Sequence, residues 1–438
     1  MGQNSSRPKH TSKYSPKSGE VIENADAKRT ASKSSKKTAS PDVKILALDP
    51  FNVRATRPQF RILVIGKANA GKTTLLKKVC DSVDDPEIFS PSGEKIDPKV
   101  VEASHRRGEH DITNQLVFKS NPGYIFHDSR GFESGSVDEI KRVKMFIAEQ
   151  AATNKLSDQL HAIWYCLPTD TNRPVTKADE DFFNTGVRGQ VPLIAIFTKV
   201  DGLEDIAFTQ LQDAGFNTNK ALKKLAQKTQ EMLADFRQRL KQTDYPPSEY
   251  LQLEDMRKTD TSCKELIKKT AATISDDALR MLFVSVQRNN ISLSVRYALA
   301  NAIDQTHIRE ITIWTLGYFG HVWEAYQEKV LTCEATLRKL CPIAFDLVAA
   351  RAELISAICI CTEQTFNEAS TTPEKFCNAF STALHVYRGS TLEHAIKEKI
   401  WALQWESYKD RYSFKDSELH KSMIEIVMSH PLRLNAST

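Results

Sequence analysis

Gly66, Gly71, Lys72 and Thr73 stand at G-x-x-x-x-G-K-[ST] spacing in RILVIGKANAGKTTLLKKV, and no other stretch constrains the chain as tightly. The apolar run 62–65 reads as a buried strand, the glycine-bounded turn follows at once, and 73–79 reads as an opening helix. Glycine lets successive backbone N–H groups point at one anion. The new helix adds its positive N-terminal end, and Lys72 a mobile cation. Asn69, Ala70 and Thr74 belong to the same cradle, and the Thr73 hydroxyl is placed for Mg²⁺. Phosphate binding is the first expectation.

Two further strings follow apolar runs. VPLIAIFTKVD, 191–201, ends in Thr198, Lys199 and Asp201. A carboxylate there can accept two parallel hydrogen bonds from guanine N1–H and N2–H₂, a donor pair that adenine lacks, which makes Asp201 the candidate base reader. In GYIFHDSRGFE, 124–127 can form a strand and Asp128 to Gly131 spell D-x-x-G. Asp128 would hold Mg²⁺ through water, and Gly131, without a side chain, would bring its N–H close to a γ-phosphate oxygen. MLFVSVQ, 281–287, supplies a last strand and loop, from which Ser285 and Val286 could offer N–H groups to guanine O6. Thr113, before the expected strand 115–118, is the candidate for a second Mg²⁺ hydroxyl, with Asp111 in competition. His105 and His110 read as exposed loop histidines, since phosphoryl transfer relies chiefly on positioning and electrostatics.

In this order the motifs resemble those of the P-loop GTPase G domain of the TRAFAC class, and more narrowly its Era-like and septin-like branches. The resemblance covers about 59–304. It implies a three-layer α/β fold with a mostly parallel sheet, Mg²⁺ as cofactor, GTP and GDP as ligands, and the reaction GTP + H₂O to GDP + phosphate, catalysed through Lys72, Asn69 and Gly131. It further implies that the Lys199 stem lies along the base and that Thr198 ties its loop to the phosphate loop. Asn69 stands where Era-like relatives carry an asparagine that helps bind a monovalent cation, so K⁺ is an implied second cofactor; an asparagine that merely suits a turn is the alternative. Phe132 occupies the place of the Ras-like glutamine and cannot orient water by hydrogen bonding. Arg130, Arg106, Arg107, a partner or a second copy could supply the missing charge, and slow basal turnover is expected. The last loop departs from the family's pattern at Gln287, where lysine is usual. A GTP-dependent assembly or scaffold protein with negligible hydrolysis is the alternative reading.

The N-terminus carries an independent signal. Met1-Gly2-Gln3-Asn4-Ser5-Ser6 fits the acceptor pattern for N-myristoylation at Gly2. One acyl chain binds membranes only marginally, and the tail adds a polybasic segment in which Arg7, Lys9, Lys13, Lys17, Lys28, Arg29, Lys33, Lys36 and Lys37 outnumber the acids. Residues 1–57 are expected to be disordered and to reach an anionic membrane surface, giving a peripheral protein on the cytosolic face. The basic cluster lacks interleaved aromatics, so nucleic acid is not expected. The tail itself lacks the apolar h-region of a signal peptide.

The G domain is placed at 58–304 with a helical insertion at about 204–277, an all-α region at 305–438, and either as a surface for self-association or an effector. Helices are expected near 221–242, 263–273, 308–340, 345–368, 373–387 and 391–427. The net charge of +5 arises largely in the tail. Eight cysteines without a C-x-x-C pair read as reduced thiols, and Cys359 and Cys361, with apolar neighbours, as buried in a helix. The apolar piece 311–323 is too short to span a bilayer and reads as core.

Overall fold

The computed structural model describes residues 59–97, 111–129, 137–153, 156–171, 173–287, 290–319, 337–338, 347–365 and 373–431. All lie within one compact unit, Ala47–Thr438. The architecture is α/β. An eight-stranded, mostly parallel sheet runs in the order β3-β2-β4-β5-β1-β6-β7-β8. Its central strands are β1 (Phe60–Gly66), β5 (Asn121–Asp128), β6 (Ala162–Pro168), β7 (Leu193–Thr198) and β8 (Glu249–Gln252), all parallel to their neighbours in this set. The short β2 (Glu87–Phe89), β3 (Lys95–Ile96) and β4 (Gln115–Phe118) extend the other edge antiparallel.

Side-chain alternation assigns each strand residue to one of two cores, as a pleated sheet buried on both faces requires. Leu63, Ile65, Ile163, Tyr165, Leu167, Ala195 and Phe197 pack with α2 (Val137–Ala152), α3 (Lys177–Phe183), α4 (Val200–Asp213) and α5 (Thr218–Lys241). On the opposite face Phe60, Ile62, Val64, Phe126, Trp164 and Ile196 pack with α1 (Lys72–Val79), α6 (Lys264–Thr273) and α7 (Asp277–Val286). The same core continues without a break into α8 (Ile291–Ala302), α9 (Ile308–Leu316), α10 (Val348–Gln364), α11 (Pro373–Tyr387), α12 (Thr391–Trp401), α13 (Arg411–Phe414) and α14 (Glu418–Met428). Helix α10 is buried on nearly every side, and Cys359 and Cys361 are both fully buried in it. Cys80, Cys166, Cys263 and Cys359 carry free, buried thiols.

Three expectations are corrected. Residues 281–286 form the end of helix α7, not a last strand. DALRMLFVSV is buried on nearly all sides, and such a run has the same apolar signature as an interior strand. The last parallel strand is instead β8, in the middle of what was expected to be a helical insertion; α4 and α5 form an ordinary, long crossover into it. The expected helix 391–427 is broken into α12, a 3₁₀ turn at Trp405–Ser407, α13 and α14, with Asp410 and Ser417 capping the last two. Of the expected helix 308–340, α9 accounts for the first part; 320–336 and 339–340 lie outside the described residues.

Helix α7 lies directly on β5: a Cβ at Gly123 would come within 2.7 Å of the Val286 Cβ. Gly123→Ala is therefore expected to cost about 1–3 kcal/mol by overpacking, read as a lower denaturation midpoint at unchanged m-value.

Candidate functional site

A cleft of about 710 Å³ opens at the carboxyl edge of the parallel strands. Asn69 to Leu75 follow β1, Asp128 ends β5, Asp170 follows β6, Thr198 to Gly202 follow β7, and Leu253 with Asp255 to Arg257 follow β8. Strand order departs from chain order around β1, and crevices at such switch points are the usual ligand sites of open α/β sheets.

The 66–74 turn owes its shape to two glycines used differently. At Gly66 a Cβ would meet the Cys166 carbonyl oxygen at 2.7 Å, so β6 leaves no room for a side chain there. Gly71, the N-cap of α1, has φ +81°, open to glycine at no steric cost. Asn69 also takes a left-handed backbone, φ +60°, which asparagine tolerates better than most residues. The first turn of α1 carries no acid and its last turn carries Lys77 and Lys78, so the positive end at the cleft is uncompensated within the helix. Lys72 Nζ donates to the carbonyls of Gly66 (3.1 Å) and Lys67 (3.3 Å) and lies 3.8 Å from the Asp128 carboxylate. Beneath them burial pushes the Cys166 thiol up to about 12, although Lys72 nearby acts in the opposite sense.

The opposite wall is held by the end of β7. The Thr198 hydroxyl donates to the Ala70 carbonyl oxygen at 2.9 Å, joining 198–201 to the glycine-bounded turn. Lys199 has φ +58° and caps α4; its Nζ lies 2.8 Å from Asp170. Asp201, in the first turn of α4, accepts from the Asp255 backbone N–H at 3.1 Å. Lys78 Nζ reaches the Thr259 carbonyl at 3.1 Å, tying α1 to the loop after β8.

Asn69, Ala70, Gly71, Lys72, Thr73, Thr74, Asp128, Thr198, Lys199 and Asp201 thus line one cleft, with Gly66 beneath it. Ser285 and Val286 do not join them. The Ser285 hydroxyl is buried and donates to the Leu282 carbonyl within α7, while Val286 packs on Gly123, so neither has an N–H directed to the cleft. The loop at the expected position is 253–257, missed because β8 is only four residues long and follows Pro246-Pro247. Asp170 was also missed; its signal is its place just past the end of a fully buried strand. Thr113 donates its hydroxyl to Asp111 Oδ1 at 2.6 Å and is not among the lining residues. Gly131, Arg130, Phe132, Arg106, Arg107, His105, His110 and Gly2 lie outside the described residues.

Asp128 is preceded by His127, which joins three segments. Its Nδ1–H donates to the Ile112 carbonyl (3.1 Å) and its Nε2 accepts from the Arg61 guanidinium (3.2 Å). Burial, reinforced by Arg61, lowers its pKa to about 4. His161, buried under β1, is lowered to about 4 chiefly by burial, and so is His420 on α14.

Among the described residues no group of three or more His, Cys, Asp or Glu could hold a metal alone, and no helix is long and apolar enough to cross a membrane. The hard oxygens of Thr73 and Asp128 at one cleft suit a Mg²⁺ that takes its remaining ligands from water and phosphate. No family model and no curated protein matches the sequence. Among solved structures it is similar to a crystal structure of a mutation variant of SsGBP, with 11% identity and a TM-score of 0.23, over 52% of this chain and 58% of that one. The match spans less than two thirds of that structure and is too loose to bear on fold or activity.

The three histidines fix the sign of a pH dependence. Well above pH 6.5 each is neutral whether folded or unfolded; as pH falls through 6.5 toward about 4 the unfolded chain takes up protons that the folded chain refuses, so stability falls as pH falls. Denaturant unfolding between about pH 7.5 and 5 is expected to show this loss, with a limiting slope of about 1.4 kcal/mol per pH unit per histidine. His420→Asn, remote from the cleft, should reduce the slope.

Proposed function

We propose that this chain is a GTP-binding protein and slow GTPase that acts as a switch at an anionic membrane surface. The observation that supports the reading is the 2.9 Å hydrogen bond from Thr198 to Ala70, which joins the glycine-bounded turn to the segment bearing Asp201 at one cleft, of a volume that would suit a nucleotide. On this reading the N–H groups of 70–74, the N-terminal end of α1 and Lys72 hold the β- and γ-phosphates. Thr73 and Asp128 hold Mg²⁺, which neutralises charge developing on the phosphates. Asp201 accepts from guanine N1–H and N2–H₂ while its other lone pairs keep the Asp255 N–H, so the loop after β8 and the base share one carboxylate. That loop, 253–257, replaces Ser285 and Val286 as the fifth element of the site.

Hydrolysis on this reading comes from positioning and positive charge, because the side chain after Gly131 is Phe132 and cannot orient water. Asn69, on the cleft wall, is the candidate to hold K⁺ beside the phosphates. The same phenylalanine favours the second reading, a GTP-bound scaffold with negligible turnover. Acylation at Gly2 with the basic tail would supply the membrane contact, and the intact mass of the N-terminal peptide from eukaryotic cells tests it.

Single-turnover hydrolysis of GTP in sodium or potassium, at low and high protein concentration, separates the two readings: slow turnover accelerated by K⁺ and lost in Lys72→Ala is expected, and no turnover in any condition leaves the scaffold. Asp201→Asn is expected to weaken GDP binding by at least about 30-fold, the loss of two hydrogen bonds to a charged acceptor. GDP affinity unchanged in that variant would remove the guanine assignment.

A further inference from the structure

We propose that Asp170 is a positioning residue for the nucleotide base, acting through Lys199; the inference rests on the guanine-nucleotide reading above and deepens it. β6 ends at Pro168, and the next two residues bracket the start of α4. The Thr169 N–H and hydroxyl both donate to the Thr198 carbonyl, at 2.9 and 3.0 Å, and the hydroxyl also faces the Lys199 carbonyl at 3.0 Å. This holds Lys199 in its left-handed backbone. Asp170 then holds the other end of the same residue, its Oδ2 2.8 Å from Nζ. A Cβ at Gly202 would stand 2.7 Å from the Asp170 Cβ, so the first turn of α4 also rests on this residue.

A lysine carries a compact charge on a flexible four-carbon stem. Without a partner, the Lys199 ammonium in this cleft would be drawn toward the phosphates, and its stem would leave the base. The Asp170 carboxylate holds the ammonium on the side of β6, which on this proposal lays the methylenes along the cleft that Lys199 and Asp201 both line. They form an apolar shelf for a planar ring. A shelf contacts the face of the base, whereas Asp201 reads its edge. Asp170 therefore sets how tightly purine nucleotides bind, and leaves the choice between their edges to Asp201.

The pair is about one-third exposed on each side, which limits the size of the effect. In the full-length chain Asp170→Asn is expected to weaken GDP and IDP equally, by about three- to five-fold, with the GDP/IDP ratio and the melting temperature unchanged. Lys199→Met keeps an apolar stem without the charge; in that background Asp170→Asn should weaken binding no further. A loss of the same size in the Lys199→Met background, a change in the GDP/IDP ratio, a fall in melting temperature that accounts for the loss, or no loss at all would each overturn the proposal. Failure of the underlying reading shows separately, as no GDP binding by the unsubstituted chain, and would overturn both.

Discussion

Burial of β1, β6 and β7 on both faces is the constraint on which the site depends. Each is apolar at nearly every position, and helices cover the two cores that alternate along them. Parallel strands buried in this way must be joined by crossovers, so their carboxyl ends fall along one edge. Five segments distant in sequence therefore meet at one cleft without any local signal that they should. The Thr198–Ala70 bond is then a consequence as much as a cause: Thr198 is the last residue of β7, and Ala70 is 1% exposed beneath the turn, so their contact follows from strand register.

The same constraint decides what could be read from sequence. Runs 62–65 and 191–198 are apolar, short and followed at once by glycine or charge, which gives strand, turn and helix their places with little ambiguity. The places of 69–74 and Asp201 at strand ends were legible because each follows directly on its apolar run. Residues 281–286 were not, because a helix enclosed by sheet and helices loses the polar face that would distinguish it from a strand. β8 was missed for the opposite reason: with only Leu251 buried, it has too little apolar content to stand out and is a strand because β7 presents an edge to it. Asp170 and Asp255 carry no motif at all, and they are tied into the cleft by hydrogen bonds across 29 and 54 residues.

The helices after β8 belong energetically to the sheet. A single apolar core runs from Phe60 through Phe283 to Tyr297, Ile355 and Val427. Polar contacts reinforce it at the rim: Arg411 pairs with Asp277 at 3.0 Å and its backbone N–H donates to Asp304 at 3.0 Å, joining α13 to both ends of the α7–α8 pair. Helix α7 is in turn seated on Gly123 of β5, the strand that ends in Asp128. A shift of β5 along its axis would move the α7 contact together with the Asp128 carboxylate. On the proposed function, this is the physical route by which phosphate contacts could reach the C-terminal helices.

Backbone strain follows the same map. Five described non-glycine residues have positive φ, and three of them, Asn69, Lys199 and Asp255, line the cleft. A left-handed conformation costs an ordinary L-residue about 1–2 kcal/mol, somewhat less for Asn and Asp. Lys199 has no such relief, so its conformation must be imposed from outside. The Thr169 hydroxyl on its carbonyl, the Asp170 pair at its ammonium and the Gly202 N–H on the same carbonyl supply that imposition. Strain of this kind persists only where surrounding contacts over-determine it, and it marks positions whose geometry matters more than their stability. At Lys199 the left-handed backbone turns the chain from β7 straight into α4, which sets Asp201 in the first helical turn and on the cleft wall. An unstrained lysine would carry the strand onward, and the carboxylate would lose its place facing the glycine-bounded turn.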